Sequence, residues 1–502
     1  MAYILGIDVG TTSTKALLLD PEAGVVAEAE RTTQLDSPHA GWAEEDPEEW
    51  WANVCSVTRE LTSDVDVAAV GVSGMVPCTV LLDAHDKPLR RSMQQNDARS
   101  VKEIAELRGR LADARILERT GSAITQQSAG PRLLWLAQHE PDVWRRARSI
   151  VGSYDYITMR LSGERTVEQN WALETGMLDL ETGSWAPDII EASGATPALL
   201  PPIRRPESVV GRVTASAADE TGLRVGVPVV AGTADHIGST FAAGVLDDGD
   251  VLLKLGGAGD IMLAVDEPLV DERLYLDFHL LPERYVVSGC MATSGSLVRW
   301  FQRELAQGKA LDQLDREAEL AGAGSGGVVA LPYFLGEKTP LNDPDARGAF
   351  VGLHLNHTRG HLYRAVLESI AFAFRHHLDV LRELGHPLNR ARISDGGARS
   401  RLWTQIIADV LDVELEKVTL RSGSAFAAAF LAGLGVGVFR DWREVEGFVT
   451  VSETVEPHPS DVYELNYKMY RSLYPALKGA LVGGTIENGA ETCTESGCLA
   501  QG

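Results

Sequence analysis

Eight residues near the start of the chain, Asp8-Val9-Gly10-Thr11-Thr12-Ser13-Thr14-Lys15, bring a carboxylate, a glycine, four hydroxyls and an ammonium into one short stretch. Glycine lets a backbone come close to a ligand, and hydroxyls beside backbone N–H groups suit a phosphate. A carboxylate next to a phosphate repels it unless a cation lies between them. Asp8 therefore asks for Mg²⁺, held in part through water, together with a nucleotide. Gly10, Thr11, Thr12 and Ser13 are the candidate phosphate contacts and Asp8 is the candidate metal ligand. Lys15 is placed either to reach a phosphate or to face outward from a strand. The competing reading is an ordinary hairpin tip built of turn-favouring residues.

The elements that would hold this turn lie beside it. Tyr3 to Ile7 and Ala16 to Leu19 are short apolar runs, which read as paired strands around a tight turn. The plan recurs 246 residues on, in DVLLKLGGAGDIMLAVD (Asp250 to Asp266), where Gly256 corresponds to Gly10. That second turn, Leu255-Gly256-Gly257-Ala258-Gly259, carries no hydroxyl, so only its backbone can donate to a phosphate. A third glycine turn, ISDGGARSRLW, has a strand ending at Ile393 and a helix opening at about Ser400, another place for an anion or a nucleotide. Each hairpin is followed by alternating strand-like and helix-like segments, so the chain is expected to be α/β, with two domains of similar plan. The expected boundaries are 1–245, 246–478 and a disordered tail over 479–502.

Composition limits the partners. A formal charge of −25 argues against nucleic acid, whose backbone needs a basic face, and requires any nucleotide site to be built locally. Hydrophobic residues at 44% with no apolar run near the roughly 20 residues of a membrane span predict a globular chain outside the bilayer. MAYILGID lacks the basic and long apolar segments of a signal peptide, so a cytoplasmic enzyme is expected. The five cysteines are scattered and odd in number, which fits reduced thiols. Cys493 and Cys498, in the tail, are assigned no chemistry.

Three features are decoys. GAGSGG (Gly322 to Gly327) matches a dinucleotide fingerprint in letters, but a helical stretch precedes it and a strand-like one follows, the reverse of what that fingerprint needs. GTTSTK (Gly10 to Lys15) has no Gly before its Lys and no helix after it, so it is not a P-loop. His376 and His377 lack partners at metal-ligand spacing and read as structural.

Further motifs carry a resemblance. GAFVGLHLNHTRGHLYRAVLE (Gly348 to Glu368), YFLGEKTPLNDPDARG (Tyr333 to Gly348) and GWAEEDPEEWW (Gly41 to Trp51) resemble signature elements of the FGGY carbohydrate kinases. The motifs come nearest to the xylulose kinases, over about residues 3 to 440, with Lys338 where the family has Arg. The resemblance implies the two-domain fold of actin, sugar kinases and heat-shock chaperones, related to ribonuclease H, with the active site in the interdomain cleft. It implies ATP and Mg²⁺, and domains that close over a small sugar.

The family pattern then maps onto single residues. Asp235, in PVVAGTADHIGST, matches the family's general base, although Asp is also a favoured helix N-cap. His236 replaces the Asn or Gln that often follows. Gly256, Gly257 and Gly259 match the second phosphate turn, with Gly257 and Ala258 in place of Thr and Ser. Gly295, Gly396, Gly397 and Ala398 match nucleotide-side contacts. On the sugar side SGMVPCT and QQNDAR resemble xylulose kinase elements and point to Met75, Val76, Asn96, Asp97 and Arg99, with Val76 for His and Gln95 for Trp. Asp97 can accept two hydroxyls and Arg99 can donate several bonds.

The implied reaction is phosphorylation of a primary hydroxyl, D-xylulose first. Gluconate or a polyol is the alternative within the family. A sugar sensor or ATP-driven binding protein is the alternative of another class. A homodimer is an assembly the resemblance allows.

Overall fold

A computed structural model describes residues 2–482, apart from 40, 113, 387 and 420. The apolar run at the start forms β1 (Tyr3–Val9), buried on both faces as a central strand must be. It turns into β2 (Ser13–Asp20), and β3 (Gly24–Thr32) continues the antiparallel ribbon. Helix α1 (Pro47–Thr62) leads to β4 (Val67–Gly74), which lies parallel to β1. Next come β5 (Val209–Arg212), β6 (Pro228–Val230) and β7 (Thr233–Ala234). The first sheet runs β5-β6-β4-β1-β2-β3, with β7 also on β4. Helix α2 (Asp235–Ala242) follows β7 directly.

The second sheet repeats the plan. Strands β8 (Asp250–Leu255) and β9 (Gly259–Val265) make the second hairpin, followed by β10 (Tyr275–Phe278) and β11 (Tyr285–Met291). Helices α3 (Gly295–Glu304) and α4 (Arg359–Glu383) precede β12 (Arg390–Ser394), which lies parallel to β8 as β4 does to β1. After α5 (Arg401–Leu411) come β13 (Leu415–Val418), α6 (Gly423–Gly435) and β14 (Val451–Val455). The order is β10-β11-β9-β8-β12-β13-β14. The expected repeat is thus a repeat of strand order and direction.

Helix α6 departs from a simple two-block division. Its run SAFAAAFLAG is apolar on every side, which demands burial on all faces. It lies on β1 and β4 of the first sheet, its residues joining the first core cluster. Two glycines make room: a Cβ on Gly6 would stand 1.9 Å from the Ala425 carbonyl oxygen, and one on Gly71 2.0 Å from that of Ala428. The break near residue 245 separates the strands of the two sheets, and α6 crosses back over it.

The C-terminal helix Asp461–Val482 runs through residues 479–482. The tail beyond it, with Cys493 and Cys498, lies outside the described residues. The GAGSGG loop joins the helix Leu311–Ala321 to the strand Val329–Leu331, so it has no strand-to-helix turn for a dinucleotide. His377 is buried, bonded to the Ala373 carbonyl at 2.8 Å and to Thr339 Oγ1 at 2.9 Å, a packing role.

Candidate active site

Where the two sheets face each other they enclose a cavity of about 210 Å³. The first half supplies Val76, Gln95, Glu174, Asp235 and His236 to its wall; the second supplies Lys254, Asp260, Tyr275, Asp277, Cys290 and Lys338. Asp235 is the first residue of α2, one place inside the N-cap, which is Ala234. Its Oδ1 accepts a 2.7 Å bond from the His236 N–H, and no side chain caps the helix. The carboxylate thus meets one N–H of the first turn of α2 and also lines the cavity.

His236 sits among acids. Its Nε2 is 3.3 Å from Asp277 Oδ2 and 3.8 Å from Glu174 Oε1, and its Nδ1 is 3.6 Å from Asp235 Oδ1. Burial alone would lower its pKa, but Asp277, Asp235 and Glu174 outweigh it and hold the imidazole well above the usual value. Burial pushes Glu174 strongly up, against the pull of His236. Glu174 and Asp277 each leave a buried carboxylate oxygen with no hydrogen-bond partner in the protein, free to meet a polar ligand.

The first turn opens beside the cavity. Gly10 N–H closes it on the Ser13 carbonyl at 3.0 Å, and among the described residues the Thr11 and Thr12 hydroxyls hold no protein partner. Asp8 is buried and accepts a 2.8 Å bond from Ser73 Oγ. Burial and the Asp235 carboxylate push its pKa up to about 6, against the hydroxyls of Ser73 and Ser424 and the Lys15 ammonium. A buried carboxylate crowded by a second one is relieved by a divalent cation, so the donor set fits Mg²⁺. Lys15 lies opposite Asp8 across the hairpin and approaches Glu30 at 3.8 Å, with its side chain 42% exposed.

The second turn is stitched to α3. Gly295 N–H donates to the Gly256 carbonyl at 2.8 Å, and the Ser294 and Ser296 N–H groups donate to the Gly257 carbonyl at 2.8 and 3.0 Å. A Cβ on Gly295 would stand 2.6 Å from the Gly256 oxygen, so the contact needs glycine. A Cβ on Gly257 would meet only the Arg299 guanidinium, at 3.3 Å. In the third turn Gly396, Gly397 and Ala398 form a short 3₁₀ turn before α5, whose N-terminus Ser400 caps. Gly397 is packed against Leu255 and Trp403, while Gly396 faces open space.

Not all the expected sugar contacts meet the cavity. Val76 and His236 line it with Asp235; Met75, Asn96, Asp97 and Arg99 do not. Asp97 is fully buried and spends its oxygens on the Ala43 N–H at 2.7 Å and on Arg99. Arg99 also pairs with Glu44 at 2.6 Å and lies 3.6 Å over the Trp42 ring. The pair lies in the loop that presents Gln95, with its own polar groups turned to each other. Sequence reasoning missed Glu174, Lys254, Asp260, Tyr275, Asp277 and Lys338 as residues lining the cavity. The pattern TADH in β7 and α2 carried a signal for its own segment only.

Comparison with known proteins places this geometry. The description of the FGGY family of carbohydrate kinases matches its N-terminal domain to residues 3–242 and its C-terminal domain to residues 261–436. The chain is 31% identical over 490 residues to a xylulose kinase of Staphylococcus epidermidis, covering 95% of this chain and 97% of that one. It is 26% identical over 490 residues to a gluconokinase of Bacillus subtilis, with 94% of each covered. The crystal structure of a xylulose kinase from Rhodospirillum rubrum superimposes with a TM-score of 0.89 at 46% identity, over 95% of this chain and 99% of that one.

Proposed function

Because the chain belongs to the FGGY family of carbohydrate kinases and is an ATP-dependent sugar kinase, we propose that its substrate is a ketopentose, D-xylulose first, phosphorylated on its terminal primary hydroxyl. The observation that carries this reading is Asp235, at the head of α2 in a cavity shared by both halves. In the proposed reaction the sugar oxygen attacks the γ-phosphorus, Asp235 takes the hydroxyl proton, and the bond to the ADP oxygen breaks. Asp8 would hold Mg²⁺, which when bound neutralises phosphate charge. Gly10, Thr11, Thr12 and Ser13 would take the phosphates on one side. Gly256, Gly257 and Gly259 would take them on the other, with Gly295, Gly396, Gly397 and Ala398 toward the adenosine.

The wall of the cavity argues for a neutral sugar over an aldonate. A sugar carboxylate beside His236 would also stand beside Asp277 and Glu174. At an effective dielectric of about 20, a charge pair about 4 Å apart interacts by about 4 kcal/mol, so repulsion from Asp277 offsets what the His236 imidazolium would return to a sugar carboxylate. Arg99, outside the cavity wall, is committed to Asp97 and Glu44. Among the described residues no helix is long and apolar enough to cross a membrane, and the cytoplasm is the compartment this reading takes.

The test is ADP release by purified protein with Mg²⁺ and ATP across ketopentoses, aldonates and polyols. The expected result is a kcat/KM for D-xylulose at least about tenfold above gluconate or glycerol. A higher value for gluconate or a polyol replaces the substrate. No sugar-dependent turnover across the panel favours an ATP-driven binding protein or sensor.

A further inference from the structure

Strand order, direction and register make Lys254 the counterpart of Asp8. Each stands two residues before the first glycine of its hairpin turn. Asp8 pairs with Lys15 across the first hairpin and with Ser73 on the parallel strand; Lys254 pairs with Asp260 and with Ser394. The charges are therefore exchanged between the repeats: acid on the outgoing strand and base on the returning one in the first, base and then acid in the second. Along β8, Leu253 and Leu255 enter the second core, whereas Leu252 joins the first, so Lys254 lies on the face turned toward the first half. It lines the cavity with Asp235.

We propose that Lys254 is a catalytic residue that binds the γ-phosphoryl group as it crosses from nucleotide to sugar. Lys254 thereby supplies in charge what the second turn lacks in hydroxyls. The first turn offers Thr11, Thr12 and Ser13; the second offers Gly256, Gly257, Ala258 and Gly259, with no side-chain donor. An ammonium brings three donors and a full charge, worth more to a phosphoryl oxygen than one neutral hydroxyl. Among the described residues no hydrogen bond occupies that ammonium. Although burial opposes its charge, the Asp395, Asp260, Asp235 and Asp8 carboxylates keep it protonated. Asp395 and Asp260 come from the second half, and Asp235 and Asp8 from the first, so the ammonium belongs to the meeting point of the two.

In the step, the sugar oxygen bonds to phosphorus, the phosphorus–oxygen bond to ADP breaks, and ADP leaves with that electron pair. The sugar proton goes to Asp235, while Lys254 donates hydrogen bonds to a non-bridging oxygen and keeps its own protons.

This inference rests on the kinase reading, which wild-type turnover tests alone. Lys254→Met should lower kcat by about 10²–10³ with a smaller change in sugar KM, and Lys254→Arg should recover part of it. Adding Gly257→Thr and Ala258→Ser to Lys254→Met should restore about tenfold. Calorimetry with ADP and with AMPPNP separates the role from folding and from sugar choice. Lys254→Met should lose affinity for AMPPNP about tenfold more than for ADP. Equal losses for both nucleotides, or a kcat within about threefold of wild type, would overturn the proposal. A fall in thermal midpoint with an unchanged nucleotide ratio would reduce Lys254 to a neutraliser of the carboxylates around it.

Discussion

Around its first turn the chain spends three hydroxyls and a carboxylate; around the second it spends three glycines, an alanine and an ammonium. The strands holding the two turns have the same order and directions, while their side chains and the anchoring of the turns differ. One hairpin is suited to a cation and the phosphates it accompanies. The other, in the proposed reading, would take phosphate through backbone N–H groups, and its carbonyls are anchored to α3. Duplicated backbone thus carries complementary chemistry, because a transferring phosphoryl group needs a metal on one flank and donors on the other.

The comparison can be broken at its centre first. Asp235 belongs to neither turn, and its removal should leave both nucleotide grips intact. Asp235→Asn is expected to lower kcat by about two to four powers of ten with ATP binding nearly unchanged. Steady-state kinetics with calorimetry checks this, and near-normal sugar phosphorylation would take the base role away from Asp235.

Asp8 sharpens the comparison from the first side. Its pKa of about 6 lies above the ordinary 3.8, so the ionised carboxylate costs stability that accumulates as pH rises from about 4 to about 6. Asp8→Asn removes that cost and should raise the denaturation midpoint of the metal-free protein near pH 7, by an amount on the order of 1–3 kcal/mol. The same variant should lose Mg²⁺-dependent turnover. In the wild type the Mg²⁺ needed for half-maximal rate should rise as pH falls below about 6. A flat Mg²⁺ requirement between pH 5 and 7 would remove Asp8 from the metal site.

The smallest effects test the second turn. Gly295→Ala forces a methyl group to within 2.6 Å of a backbone oxygen and should raise the KM for ATP about tenfold. Gly257→Ala meets only the mobile end of Arg299 and should stay within about threefold of wild type. If the two substitutions cost the same, the anchoring of the turn to α3 is not what holds it in place.

How much of this was legible depended on how local each cause is. The turns could be read because Gly, Thr and Asp act on their own neighbours. Strand parity then fixed which residues share a face, although not what that face meets. Asp235 was read as the base through the family pattern, with an N-cap as the competing reading, because an acid at the first helical position looks the same in sequence as one just before it. Asp97 and Arg99 were read as sugar ligands from the family pattern and from types that suit hydroxyls; two residues apart, they bond to each other. Glu174 and Asp277 could not be found. They meet at His236 only because the end of a short helix and a strand of the other sheet are brought together there.

The return of α6 to the first sheet has a bearing on synthesis. The bare backbone at Gly6 and Gly71 is made early, and the helix that seats on it is not finished until residue 435. At roughly 5–20 residues per second a ribosome needs on the order of ten to forty seconds to pass from β7 to the end of α6. Throughout that interval the nascent chain carries an apolar sheet face without its cover, while a second sheet of nearly the same strand order emerges behind it. Folding of the first half is thus not vectorial: its last piece is delivered only after most of the second half has been translated.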